Sequence, residues 1–182
     1  YFPVGRSKIP NLAGSFDFIG LNYYTRFYVN FPPFGDLLSQ EWEPGAVVSD
    51  GNYGEVFPAG LFQMIEQLVP YQKPIYITEN GVPDEADRLR PSFLMTHLRE
   101  VWRAISFNYP VMGYYHWSLV DNFEWDRGWT QRFGLIEMNP ETQERSWRES
   151  GRLYQEICHN RSLTSKQAEK YAPELLQTIF PG

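Results

Sequence analysis

Pro74-Ile75-Tyr76-Ile77-Thr78-Glu79-Asn80-Gly81 sets a short apolar run directly ahead of a carboxylate and an Asn-Gly pair. A brief run rich in β-branched and aromatic residues, closed by turn residues, reads as a buried strand. Asn-Gly is strong turn chemistry, so the chain leaves the strand sharply and Glu79 stands at its C-terminal rim rather than inside it. Barrel enzymes keep their catalytic groups at that end of a parallel strand. An ordinary acidic loop residue would look the same over four letters, so the neighbouring segments decide the reading.

Upstream, Pro58 opens a helix whose Leu61, Phe62, Ile65, Leu68 and Val69 recur at three-to-four spacing until Pro70 stops it. Phe16 to Tyr24 (FDFIGLNYY) is a nearly continuous apolar strand, the pattern of a parallel strand covered on both faces. The connection 30–57 between them is rich in Pro, Gly and Asp, and is long enough to frame a pocket. Downstream of the loop Val82 to Arg90, Pro91 leads a helix with Leu94, Leu98, Val101, Trp102 and Ile105 on one face, ending near Asn108-Tyr109-Pro110. A third strand follows from Val111 to Leu119, and Phe133 to Met138 predicts a short strand turning at Asn139-Pro140. Ser146-Trp147-Arg148-Glu149 has the capping-box pattern of a last helix running toward Cys158, and residues 161–182 form a tail or an extra helix. Strands alternating with helices predict three β/α units on a parallel sheet, an α/β fold.

The size and composition narrow the function. A chain of 182 residues supports one sizeable domain, yet a closed eight-stranded α/β barrel takes about 250 residues. Aromatic residues reach 17% (six Trp, 12 Tyr and 13 Phe), and aromatics near carboxylates suit ligands with apolar faces and polar edges, such as sugars. A net charge of -6 opposes a nucleic-acid partner, which needs clustered Lys and Arg. No apolar run approaches the roughly 20 residues of a membrane span, so the membrane is excluded as a partner too. The single Cys158 allows no intrachain disulfide, which makes the cytoplasm the default location. His97, His116 and His159 are far apart and match no metal-ligand spacing, so structural or solvent-facing roles are expected and no metal site. Asp84-Glu85-Ala86-Asp87 lacks the ligand pattern of a calcium loop and reads as a solvated acidic turn. Asn160-Arg161-Ser162 is a formal glycosylation sequon expected to be silent, because the chain begins Tyr1-Phe2-Pro3 without a secretory signal. That start, which lacks an initiator Met, predicts that the true beginning of the protein is not in view.

Three segments together resemble the family 1 glycoside hydrolases: Ile77-Thr-Glu-Asn-Gly81, Phe18-Ile-Gly-Leu-Asn-Tyr-Tyr24, and His116-Trp-Ser-Leu-Val-Asp-Asn-Phe-Glu-Trp125. They stand in the family's order, and the similarity covers roughly residues 14–160. The resemblance implies that residues 1–182 are the C-terminal part of a single (β/α)8 TIM barrel domain, its strands 6 to 8 with their helices. It also implies a retaining β-glycosidase in which Glu79 is the nucleophile and forms a covalent glycosyl-enzyme, with no cofactor. Asn22 and Tyr24 match positions that supply hydrogen-bond donors to it, and strand alternation puts both on one face with Tyr23 opposite. Trp117 and Phe133 match walls of the sugar site, and Glu124 and Trp125 match its sugar-binding positions, a carboxylate being well suited to accept from neighbouring hydroxyls. The negative charge of Glu124 would repel a 6-phosphate, so the implied substrate is an unphosphorylated β-glucoside, an oligosaccharide or an aryl glycoside.

The departures from the family are equally specific. Retaining hydrolysis needs a second carboxyl group about 5 Å from the nucleophile. The family's acid/base sits in an Asn-Glu-Pro motif ahead of the matched region, and the one Glu-Pro here, Glu43-Pro44, follows Trp42 within the long connection and is not a substitute. The family's early Gln, His and Trp sugar contacts are also absent, so an N-terminal half of the barrel, on the same or a separate chain, is an implied partner. The rival expectations are a non-catalytic half barrel that binds sugar or self-associates, and a fragment serving only folding or assembly.

Overall fold

The computed structural model describes residues 14–30 and 39–181; the Tyr1-Phe2-Pro3 start and residues 31–38 of the long connection lie outside the described residues. In chain order the elements are β1 (Ile19–Asn22), β2 (Tyr28–Asn30), β3 (Ser39–Glu41), α1 (Pro58–Leu68), β4 (Ile75–Asn80), α2 (Arg90–Ser106) and β5 (Val111–His116). They continue with β6 (Ile136–Met138), β7 (Arg145–Trp147), α3 (Glu149–Asn160), α4 (Ser165–Tyr171) and α5 (Leu176–Ile179). The central sheet is parallel in the order β1-β4-β5, with Leu21 opposite Ile77 and Ile77 opposite Tyr114. Antiparallel hairpins β2-β3 and β6-β7 flank it.

The alternation of β4 sorts its residues onto two faces. Ile75 and Ile77 are fully buried against Leu61, Phe62 and Ile65 of α1 and Val101 and Ala104 of α2. Removing each isoleucine from water stabilises by roughly 1.5–3 kcal/mol. The other face holds Gly20, Tyr76, Thr78 and Gly113, and it is open: Phe18, Met112 and Tyr115 are 55%, 62% and 58% exposed. Among the described residues, helices cover one face of the sheet only. β1 is shorter than the predicted 16–24, because backbone pairing with β4 begins only where Ile19 N reaches Pro74 O at 2.8 Å.

Two helix readings need similar correction. Trp102 and Ile105 were expected on the covered face of α2 but are 64% and 50% exposed. The buried stripe runs instead through Leu94, His97, Val101 and Ala104, because a neutral histidine fills a place that a purely apolar count assigns to leucine. Ser146 does not cap α3; it pairs with Glu137 across the β6-β7 hairpin, and Glu149 opens the helix. The cap comes from elsewhere. Asp87 Oδ2 accepts from Ser150 N at 2.8 Å, and Asp84 Oδ2 accepts from Leu89 N at 2.7 Å and Arg90 N at 2.8 Å. The acidic segment 84–87 is thus no solvated turn but a junction, in which two carboxylates satisfy the free N–H groups at the starts of α2 and α3. Asp87 also pairs with the fully buried Arg90. The capping box that does form is Thr164 with Gln167, at the head of α4.

His97 is fully buried, stacks on Phe93 at 3.8 Å and donates from Nδ1 to Phe93 O at 2.8 Å. Burial lowers its pKa to about 4, and burial together with the charge of Arg90 lowers that of His116 to about 3. Both lie below the ordinary value of 6.5, so between these values the unfolded chain binds more protons than the folded one. Stability is then full above pH 6.5 and falls as the pH drops toward 4 and 3, with a slope of up to about 1.4 kcal/mol per pH unit for each histidine. Urea midpoints measured from pH 7.5 to 5 are expected to hold down to about pH 6.5 and then fall, less steeply in His97→Phe; equal slopes below about pH 6.5 for the two proteins would contradict this origin.

Candidate active site

The C-terminal end of β4 is clamped on both sides. Glu79 O accepts from Tyr23 N at 2.9 Å, and Asn80 O accepts from Trp117 N at 2.9 Å. The Asn80 side chain is fully buried; it donates to Tyr23 O at 2.7 Å and accepts from the Tyr114 hydroxyl at 2.7 Å. Gly81 is required next, because a Cβ there would run into the Trp117 carbonyl. These bonds fix the backbone on either side of Glu79 and leave its side chain half-buried at the sheet's mouth.

There the Tyr24 hydroxyl donates to Glu79 Oε2. Burial, then the hydrogen bond to Glu79, holds the Tyr24 phenol far above its ordinary pKa, so it remains a donor throughout the working range. Tyr24, Tyr53 and Phe133 pack edge to face, with centroid separations of 6.0, 6.0 and 5.2 Å. Tyr53 is likewise raised, by burial and then by the charge of Glu124. Glu124 is itself held, since its Oε1 accepts from Trp117 Nε1 at 3.0 Å and from Asn122 Nδ2 at 2.6 Å. Two donors on one oxygen leave Oε2 as the free acceptor.

The cleft between these groups has a volume of about 300 Å³ and is lined by Tyr24, Tyr53, Glu79, Trp117, Glu124, Phe133 and the buried Gln131, with the exposed Trp125, Asp126 and Arg127 toward solvent. Six of the seven residues singled out from sequence thus meet in one place, although Trp125 is 83% exposed. Asn22 stands beside Glu79 as its register partner on β1 but does not line the cleft; its Oδ1 accepts from Thr78 Oγ1 at 2.6 Å. Tyr53 and Gln131 escaped the sequence reading. Tyr53 lies in the loop-rich stretch before α1 with no periodicity to mark it, and Gln131 was overshadowed by Phe133 two residues on. Among the described residues, no group of three or more His, Cys, Asp or Glu could hold a metal ion.

The rim loop is anchored below by a buried ion pair. Arg148 Nη1 and Nη2 donate to Asp121 Oδ1 and Oδ2 at 2.9 and 3.0 Å, and Gly134 N donates to Oδ1 at 2.8 Å. Asp121 and Arg148 are 2% and 6% exposed. β5 ends at His116 rather than Leu119, because Ser118 N turns to Phe133 O at 3.2 Å and Leu135 N to Ser118 O at 3.0 Å.

The profile described as Glycosyl hydrolase family 1 matches residues 4–163. The β-galactosidase of Saccharolobus solfataricus is 37% identical over 174 residues, which are 89% of this chain and 36% of that protein. β-Glucosidase A of Thermotoga maritima is 33% identical over 90% of this chain and 39% of its own length. The solved β-glycosidase from Pyrococcus horikoshii superposes with a TM-score of 0.76 at 34% identity, over 85% of this chain and 37% of that one. The chain therefore spans little more than a third of the length of these relatives. Family 1 glycosidases are (β/α)8 barrels, and the parallel sheet with its helices is part of such a barrel. The chain belongs to glycosyl hydrolase family 1.

Proposed function

We propose that this chain carries the nucleophile half of a retaining β-glycosidase acting on unphosphorylated β-glucosides or related glycosides. Glu79 attacks the anomeric carbon as the bond to the leaving group breaks, and water later hydrolyses the glycosyl-enzyme ester. The observation that carries this reading is the Tyr24 hydrogen bond to Glu79 Oε2 at the mouth of an aromatic cleft. It orients the carboxylate and leaves Oε1 free to attack, while Glu124 Oε2 is free to accept from sugar hydroxyls. The proton for the leaving group comes from a carboxylic acid outside this chain, in the N-terminal portion of the barrel.

The direct test is intact-protein mass spectrometry after incubation with a 2-fluoro β-glucoside bearing a dinitrophenyl leaving group, which needs little help from an acid. A stable adduct mapping to Glu79 supports the reading; well-folded full-length protein that forms none sinks it. Tyr24→Phe is expected to lower kcat by about 10²-fold with KM changed only a few-fold, the order of loss for one preorganised donor. Steady-state kinetics on an aryl glucoside measure this, and an unchanged kcat would remove Tyr24 from the mechanism.

The exposed Phe18, Met112 and Tyr115 favour a second reading, a non-catalytic half barrel that buries its open face by self-association. Light scattering of the 182-residue chain tests it. A dimer that forms no glycosyl adduct fits this reading, and a monomer excludes self-association.

A further inference from the structure

One wall of the cleft is built by Tyr53, Arg127 and Gln131, with Gly51 against Gln131, and none of them has a role in the chemistry above. Gln131 is 3% exposed, yet its amide makes no hydrogen bond among the described residues, and its Oε1 is buried without a partner. Native proteins seldom leave a buried amide idle unless another molecule completes it. The space around it is constructed. Gly51 adopts a φ of +61, and any side chain there would collide with Gln131 Nε2, so the bare backbone makes room for the amide. Arg127 donates to Gly51 O at 3.5 Å and lies 6.0 Å from the centre of the Tyr53 ring, which ties the turn at 51–53 to the rim. Gln131 and Phe133 both line the cleft, while Arg132 between them turns away to Met138 O at 3.2 Å.

We propose that the Gln131 amide is a saccharide-hydroxyl recognition site that discriminates among sugars in this cleft. An amide both donates and accepts, and so does a hydroxyl, so the pairing is neutral and complete. It serves a ligand group beyond those taken by Glu124, whose one free oxygen leaves other hydroxyls unread. The inference rests on the cleft being a saccharide site, as proposed above.

The test uses the full-length protein and Gln131→Met, which keeps the length of the side chain and removes both polar atoms. Affinities for glucose and its 2-, 3-, 4- and 6-deoxy analogues are measured by calorimetry, with circular dichroism to check folding. Glucose is expected to bind the variant about tenfold more weakly, the effect of one lost hydrogen bond. One deoxy sugar is expected to bind both proteins equally, because hydroxyl and amide are lost as a pair. Should Gln131→Met misfold, Gln131→Leu serves with the same expectations. Unchanged glucose affinity, the same ratio between proteins for every deoxy sugar, or a wild type that binds no sugar overturns the inference. Wild type that binds sugar but does not hydrolyse an aryl glucoside sinks the catalytic reading alone.

Discussion

Glu79→Gln is expected to lower kcat of the full-length protein on aryl β-glucosides by roughly 10⁴-fold or more, the order of loss when a covalent nucleophile is removed. The amide has nearly the shape of the carboxylate, and its oxygen still accepts from Tyr24, so the bond seen at Oε2 survives. The clamps on either side are backbone bonds of Glu79 and Asn80 and do not involve the exchanged atoms. What disappears is the nucleophilic oxygen. Saccharide affinity is therefore expected to change by less than about tenfold while turnover collapses, a split that marks a group acting in the transition state. Residual turnover within tenfold of wild type would remove Glu79 from the chemistry; loss of affinity and turnover together would make it a binding residue.

Asp121→Ala is expected to cost about 3–5 kcal/mol of folding stability, because it strands a buried guanidinium instead of removing a surface pair. Arg148 has its two terminal nitrogens on Asp121 and a further bond to Gly134 O at 2.7 Å. Arg132 Nη1 lies 3.8 Å from the same carboxylate. Urea denaturation measures the loss, and a change below about 1 kcal/mol would show that water reaches Arg148 and replaces its partner. Replacing both members, Asp121→Leu with Arg148→Met, is expected to restore much of the difference, since the penalty lies in the unpaired charge. The rim that holds Glu124 and Phe133 hangs from this pair, so the single variant is also expected to lose sugar affinity.

The sheet, α1 and the C-terminal mouth of β4 were legible in the sequence because each is written in short-range chemistry. Ile75 and Ile77 alternate and Leu61 and Ile65 repeat at helical spacing, as read, but β4 runs on through Glu79 and Asn80, so Glu79 belongs to the end of the strand instead of lying beyond it. The failures occurred where a polar side chain does something that only the assembled fold reveals. His97 occupies a core position of α2 as a neutral imidazole, which rotated the expected buried stripe toward Trp102. Asp84 and Asp87 look like solvent-facing acids until α2 and α3 present their free N–H groups to them. Ser146 carries a valid capping pattern, but pairing with Glu137 claims it first. The resemblance of three segments gathered Tyr24, Glu79, Glu124 and Trp117, which no spacing rule would have united, and the family match added Phe133. Tyr53 and Gln131 belong to no such segment and emerged only from their positions around the cleft.

The junction of Asp87 with Ser150 joins residues 63 apart in the chain. At a synthesis rate of about 5–20 residues per second, Ser150 leaves the ribosome roughly 3–13 seconds after Asp87. Through that interval the segment following Glu79 has one of its two helices to rest on and Arg90 lacks a wall. The mouth of β4 thus stays unfinished until the start of α3 has been made, and a ribosome that stalls before Ser150 holds a chain in which β1, β4 and β5 are made but the rim is not.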